Sequence, residues 1–154
     1  MYLKKKFKIK KRKVLIVSSN YYQDISNNLV NGAKDFLKDF PAIEFEHSEV
    51  PGCFEIPYII NAYNEHYEGF IALGCIIRGE TYHFELISNE VTRKIMDLSV
   101  NHKKPIGFGI LTCENLDQAI QRSDQNHGNK GKEAALACVR LINENKSIKN
   151  KLNG

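Results

Sequence analysis

The residues best equipped for chemistry fall between Leu73 and Glu85, in the stretch LGCIIRGETYHFE. Its first part completes an apolar run, Phe70 to Cys75, and a turn through Arg78-Gly79-Glu80-Thr81 precedes a helical pattern. A strand that ends in a glycine-containing turn at a helix start leaves backbone N–H groups without intrahelical partners, and these attract anions. Glu80 and Thr81 sit in that turn, and His83 just beyond it can exchange a proton near neutral pH. An anion cradle beside a histidine suits work on a phosphorylated small molecule. The same stretch also reads as an ordinary strand-to-helix turn with a surface histidine.

Other candidates are dispersed. Glu55, between Phe54 and Ile56 at a helix start, is either favoured there by the helix dipole or free to bond ligand hydroxyls and amides. Tyr21 and Phe108 lie at or near strand ends and suit stacking on a flat ring, although Phe108 reads equally as core. Arg122 closes a short helix, where it could hold a phosphate in a bidentate grip or stand as a solvated charge. Lys130, in Gly128-Asn129-Lys130-Gly131, resembles a phosphate-loop fragment but lacks the full spacing and the preceding strand. Hydrolase elbow, zinc-protease and dinucleotide-glycine signatures are missing. Cys53, Cys75, Cys113 and Cys138 are scattered without a CxxC pair, which argues against a zinc site or a disulfide framework and for reduced thiols in a cytoplasm.

The elements that must position these residues alternate. Short apolar strands are predicted over Val14–Ser18, Phe70–Cys75 and Ile106–Leu111, and a half-buried strand over Ile43–Val50. Between them run a helix capped by Asp24 with an apolar face of Ile25, Leu29, Ala33, Phe36, Leu37 and Phe40, stopped by Pro41, and a second helix around Ile56–Tyr63. A third spans Phe84–Leu98, a fourth Asn115–Arg122, and the last carries Ala134 to Ile142 before dissolving into a polar tail over 144–154. This pattern predicts an α/β three-layer sandwich: a four-stranded parallel sheet with helices on both faces, flavodoxin-like in outline. Ligands of such sheets bind beyond the carboxyl ends of the strands, where Tyr21, Phe54, Glu55, Thr81 and His83 all fall.

At 154 residues, 42% hydrophobic and 26% charged, the chain fits one soluble domain, 14–143 between two tails. No apolar run approaches the ~20 residues of a membrane helix, and the N-terminus lacks the apolar segment of a signal peptide. The net charge of +4 is unevenly placed: residues 1–13 hold eight of the 22 basic residues and no acid, so the rest carries 14 basic against 18 acidic groups, or −4. The tail is a solvated arm, a contact for an acidic partner, or an edge strand built on Leu3, Phe7 and Ile9 that could join a neighbouring subunit.

Taken together the motifs resemble a known family. PGCFEIP from Pro51, LGCIIRGETYHF from Leu73, GFGILTCEN from Gly107 and GNKG from Gly128 occur in this order and at fitting separations. The ensemble resembles the 6,7-dimethyl-8-ribityllumazine synthases, which make the penultimate intermediate of riboflavin biosynthesis, over roughly Val14 to Asn143. The resemblance implies condensation of 5-amino-6-ribitylaminouracil with 3,4-dihydroxy-2-butanone 4-phosphate, without metal or organic cofactor. It implies that Tyr21 stacks on the pyrimidine, that Cys53, Phe54 and Glu55 hold the ribityl chain and ring, and that the backbone of Cys75, Ile76 and Ile77 contacts the pyrimidine. Glu80 and Thr81 would bind the phosphate and His83 would transfer protons. Phe108 and Arg122 would be lent by a neighbouring subunit, with Lys130 and Glu133 lining or supporting the pocket. It further implies a homo-pentamer, packed in some members into a sixty-subunit shell, with riboflavin synthase a candidate partner. Asn20, where an arginine is common in the family, and the hydroxyl of Tyr21 are departures. A related riboflavin synthase of the same fold, a non-catalytic flavin- or lumazine-binding module, and a nucleic-acid binder working through residues 1–13 are the competing readings. The acidic body places the last of these behind the others.

Overall fold

The computed structural model describes residues 12–154. The edge strand expected from Leu3, Phe7 and Ile9 lies outside the described residues. Four strands form one parallel sheet: β1 (Arg12–Ser19), β2 (Ile43–Val50), β3 (Gly69–Ile77) and β4 (Ile106–Cys113), in the order β2-β1-β3-β4. Helices α1 (Gln23–Leu37), α2 (Ile56–Ala62), α3 (His83–Asn101), α4 (Leu116–Ser123) and α5 (Lys130–Asn153) connect and cover them. The three-layer α/β sandwich read from the sequence is therefore present.

Alternation within the strands distributes the core. Val14 and Ile16 of β1, with Ile71 and Leu73 of β3, point to the face covered by α1, α4 and α5. Leu15 and Val17, with Phe70 and Ala72, point to the face covered by α2 and α3. β1 and β3 are apolar on both faces and pair on both sides, as strands buried in a parallel sheet must be. Among the described residues β2 pairs only with β1, and its Glu44, Glu46 and Glu49 are exposed, so it keeps the alternating pattern that the sequence displayed.

Several boundaries differ from expectation. α1 begins without a side-chain cap, and Asp24 lies in its first turn, where a carboxylate still favours the helix dipole. The helix stops at Leu37, before Pro41, and Phe40 packs on the core from the following turn. The largest difference is α5, which does not end near Asn143 but runs to Asn153, so the expected polar tail is helical for nearly all its length. The apolar stripe stops at Ile142, yet Asn145 donates to the Lys103 carbonyl at 3.0 Å and ties the extension to the turn before β4. Lys, Asn and Glu tolerate a solvated helix, so an end in hydrophobic periodicity is not an end in the helix.

The α1–α5 contact depends on one missing side chain. Gly131, in the first turn of α5, lies against the α1 backbone, and a Cβ there would overlap the Leu29 carbonyl oxygen, well inside the sum of their van der Waals radii. Helix propensity favours Gly131→Ala by about 1 kcal/mol. The backbone overlap outweighs it, because a packed interior yields little. Gly131→Ala is therefore expected to destabilise the fold by about 2 kcal/mol, read as a lower urea midpoint with an unchanged m-value. An equal or higher midpoint would show that α5 can slide on α1.

Candidate functional site

The chain leaves β1 and β3 toward opposite faces of the sheet, into α1 and α3 respectively. A crevice opens where neighbouring strands diverge in this way. Here it is a cavity of about 560 Å³ at the carboxyl ends of β1 and β3. Tyr21 and Tyr22 enter it from the turn after β1, and Cys53, Phe54 and Glu55 from a single turn of 3-10 helix after β2. Cys75, Ile76 and Ile77 form its floor at the end of β3. Thr81 and His83 come from the start of α3.

Two aromatics stand out of the surface at its mouth: Tyr21 is 73% and Phe54 65% exposed. Large rings left in water at a concave site cost free energy unless something covers them, and a flat ligand ring would do so. Tyr21 is braced edge-on by Tyr22, with ring centroids 4.9 Å apart. The turn that presents Phe54 is closed by Glu55, whose Oε2 accepts the Gly52 N–H at 3.1 Å. Glu55 thus has a structural bond and still lines the cavity. Thr81 Oγ1 accepts the His83 N–H at 3.5 Å at the beginning of α3. That helix start, from Thr81 to Phe84, lines one side of the cavity.

Beneath the site the thiols are buried and neutral. Burial pushes the Cys53 thiol up, while Ser19 Oγ lies 3.4 Å from its sulfur. The Cys75 thiol is pushed up to about 12, first by burial and then by the neighbouring Cys113 and Cys53. Such groups shape the floor and do not act as nucleophiles. Gly74 leaves them room, since a Cβ there would sit 2.6 Å from both Cys53 Sγ and Ser19 Oγ.

Of the residues singled out in the sequence, Tyr21, Cys53, Phe54, Glu55, Cys75, Ile76, Ile77, Thr81 and His83 meet around this cavity. Glu80 is exposed on the same turn but does not line it. Phe108, Arg122, Lys130 and Glu133 lie outside it. Phe108 projects 43% exposed from β4, a strand paired on one side only among the described residues. Arg122 is exposed near the end of α4, its guanidinium donating to the Gln118 carbonyl at 3.3 Å. Lys130 and Glu133 pair with each other at 2.8 Å on the first turn of α5. Sequence reasoning gave no ligand-contacting role to the side chains of Tyr22 or Ile87, which also line the cavity. The paired Tyr21-Tyr22 was the available signal for the first. Phe84 and Ile87 were read only as the apolar face of α3, which they also are.

A family model for 6,7-dimethyl-8-ribityllumazine synthase matches residues 11–146. The chain belongs to this family. Curated relatives carrying the same description are similar over most of their length. The one from Bartonella tribocorum is 45% identical over 136 residues, covering 86% of this chain and 89% of its own. That from Blochmanniella pennsylvanica is 42% identical over 145 residues, covering 91% and 92%. That from Agrobacterium fabrum is 44% identical over 138 residues, covering 83% and 93%. The match to lumazine synthases thus spans every element that builds the cavity.

The raised Cys75 thiol has a consequence for stability. It stays protonated in the folded chain up to about 12, against an ordinary value of 9.0. Above pH 9 the unfolded chain therefore binds fewer protons than the folded one, and stability falls as pH rises. Denaturation at fixed protein concentration between pH 8 and 11 is expected to show this fall, with a shallower slope in Cys75→Ala. Identical slopes in the two proteins would contradict the assignment.

Proposed function

We propose that the chain is a transferase that condenses 5-amino-6-(D-ribitylamino)uracil with 3,4-dihydroxy-2-butanone 4-phosphate to give 6,7-dimethyl-8-ribityllumazine, phosphate and water. The observation that carries this reading is the single cavity in which Tyr21, Phe54, Glu55, Thr81 and His83 converge. Its volume of about 560 Å³ suits a small-molecule ligand, and its lining is mixed. The family match over residues 11–146 supplies the substrates that fit it.

In this reading Tyr21 stacks on the pyrimidine and Phe54 and Glu55 hold the ribityl side. The backbone of Cys75, Ile76 and Ile77 bonds the ring edge, a suitable task for a strand end whose thiol is inert. The turn of Glu80 and Thr81 before α3 receives the phosphate of the second substrate through backbone N–H groups and the Thr81 hydroxyl, and the helix N-terminus favours its charge. The uracil amine attacks the butanone carbonyl to form an imine with loss of water. Phosphate is then eliminated, the ring closes and a second water leaves. Holding two substrates in register supplies most of the acceleration. His83 transfers protons at the carbonyl and leaving groups, for which its position beside Thr81 suits it.

Phe108, Arg122, Lys130 and Glu133 are exposed or half-exposed away from this protomer's cavity. Their separation supports a site completed by a neighbouring copy, with Phe108 covering the uracil ring and Arg122 gripping the phosphate. A cyclic homo-pentamer satisfies this arrangement, since each copy lends to the next. The assembly works in the cytoplasm on its two small-molecule substrates, and the lumazine it releases is what a riboflavin synthase consumes.

The test is direct. The purified protein is mixed with both substrates, and lumazine fluorescence is followed against the slow uncatalysed reaction. A saturable rate is expected, with the KM for the butanone phosphate raised at least about tenfold in Arg122→Ala, the loss of one charge-assisted phosphate contact. His83→Ala is expected to lower kcat by about 100-fold without abolishing turnover, as removal of one proton-transfer group does. Binding of the uracil with no rate above background would replace this reading with a non-catalytic lumazine-binding module.

A further inference from the structure

Arg78 lies at the end of β3 with its backbone N–H donating to the Cys113 carbonyl at 2.9 Å, at the end of β4. Its side chain does not line the cavity, and the functional reading gives it no role. Yet it is the most heavily engaged cation near the site. Its Nε bonds Glu114 Oε2 at 2.7 Å, and its Nη1 bonds Glu85 on the first turn of α3. Its guanidinium lies 4.4 Å from the centre of the Phe84 ring, in cation–π contact. Phe84 is the residue after His83 and itself lines the cavity.

Glu114 leads in the other direction. Its backbone N–H donates to Gln118 Oε1 at 2.8 Å, and Gln118 N–H donates to the Asn115 cap of α4 at 2.9 Å. The Gln118 carbonyl in turn receives the Arg122 guanidinium. One planar fork thus joins the helix start that carries His83 to the helix that carries Arg122.

We propose that Arg78 is a positioning residue that holds His83 for its own protomer's site and Arg122 for the site of the neighbouring copy. The inference rests on the two-subunit reading above. It assigns a task that needs arginine itself: two carboxylates from different elements and an aromatic face are held at once, which the point charge of lysine cannot do. The exposed ion pairs contribute little to stability, so their use lies in geometry. Small displacements of groups around a reacting centre lower rates steeply.

The test separates the two arms. Glu85→Gln loosens the His83 side and is expected to lower kcat about fivefold, with the KM for the butanone phosphate within twofold of wild type. Glu114→Gln loosens the Arg122 side and is expected to raise that KM about fivefold with kcat little changed. Arg78→Gln is expected to show both effects, Arg78→Lys to recover less than half of the lost kcat/KM, and all four to unfold within a few degrees of wild type. Hydrogen exchange on Arg78→Gln supplies a readout without turnover: faster exchange at both the start of α3 and residues 114–118. An active wild type whose Arg78→Gln variant keeps normal kinetics and protection overturns the clamp alone. So does an equal effect of the two glutamate changes on both constants. A wild type that binds the uracil without turning over overturns the functional reading, and the clamp with it.

Discussion

Everything at this site depends on the divergence of the chain at the ends of two adjacent parallel strands. β1 and β3 are paired along their length, yet α1 departs to one face and α3 to the other. Right-handed crossovers leave no other way to place β2 on one side of β1 and β4 beyond β3. The gap stays open although the β2-to-β3 connection crosses over β1, because that connection brings only its first turn, Cys53 to Glu55, to the edge. It is instead rimmed by three turns, each delivering a different type of group: aromatic after β1, aromatic and carboxylate after β2, hydroxyl and imidazole after β3. The chemistry is thus distributed over segments far apart in sequence, and the sheet holds them in register.

The sheet face covered by α1 and α5 is tightly packed. α1 and α5 approach so closely that Gly131 meets Leu29 backbone to backbone. Buried thiols fill the space under the cavity, and their raised pKa values keep the floor neutral and apolar. Polar groups are thereby placed at the rim, where Thr81, His83 and the start of α3 line the cavity. A site of this kind gains from orientation and from a fixed anion cradle more than from a reactive side chain.

Much of this was legible in the chain. β2 and the start of β4 fall where alternation and apolar runs placed them, because a strand's pattern is a direct record of which faces are covered. The turn residues Phe54, Glu55, Thr81 and His83 were visible as polar or aromatic oddities after apolar runs, and the cavity gathers them. The extent of α5 was not legible, since its extension is largely polar and is tied down by a bond from the Asn145 side chain to the Lys103 carbonyl. Asp24 was misread as a cap because cap and first-turn carboxylates share a composition signal. The role of Arg78 was hidden for a further reason. Glu114 is brought to it only by the pairing of β3 with β4, and Glu85 only by the turn from β3 into α3.

The central claim is that a complete site is built from two copies, one giving Phe54 and His83 and the next giving Phe108 and Arg122. Subunit mixing tests it most directly. A His83→Ala, Phe54→Ala protein and an Arg122→Ala, Phe108→Ala protein are each made, then unfolded together and reassembled. In a randomly mixed ring about a quarter of the sites pair an intact first half with an intact second half. The account predicts that lumazine formation in the mixture rises to about a quarter of the wild-type rate, well above the mean of the two variants. A mixture no more active than that mean, with mixed assembly verified by mass, would place all the catalytic groups within one copy and contradict it.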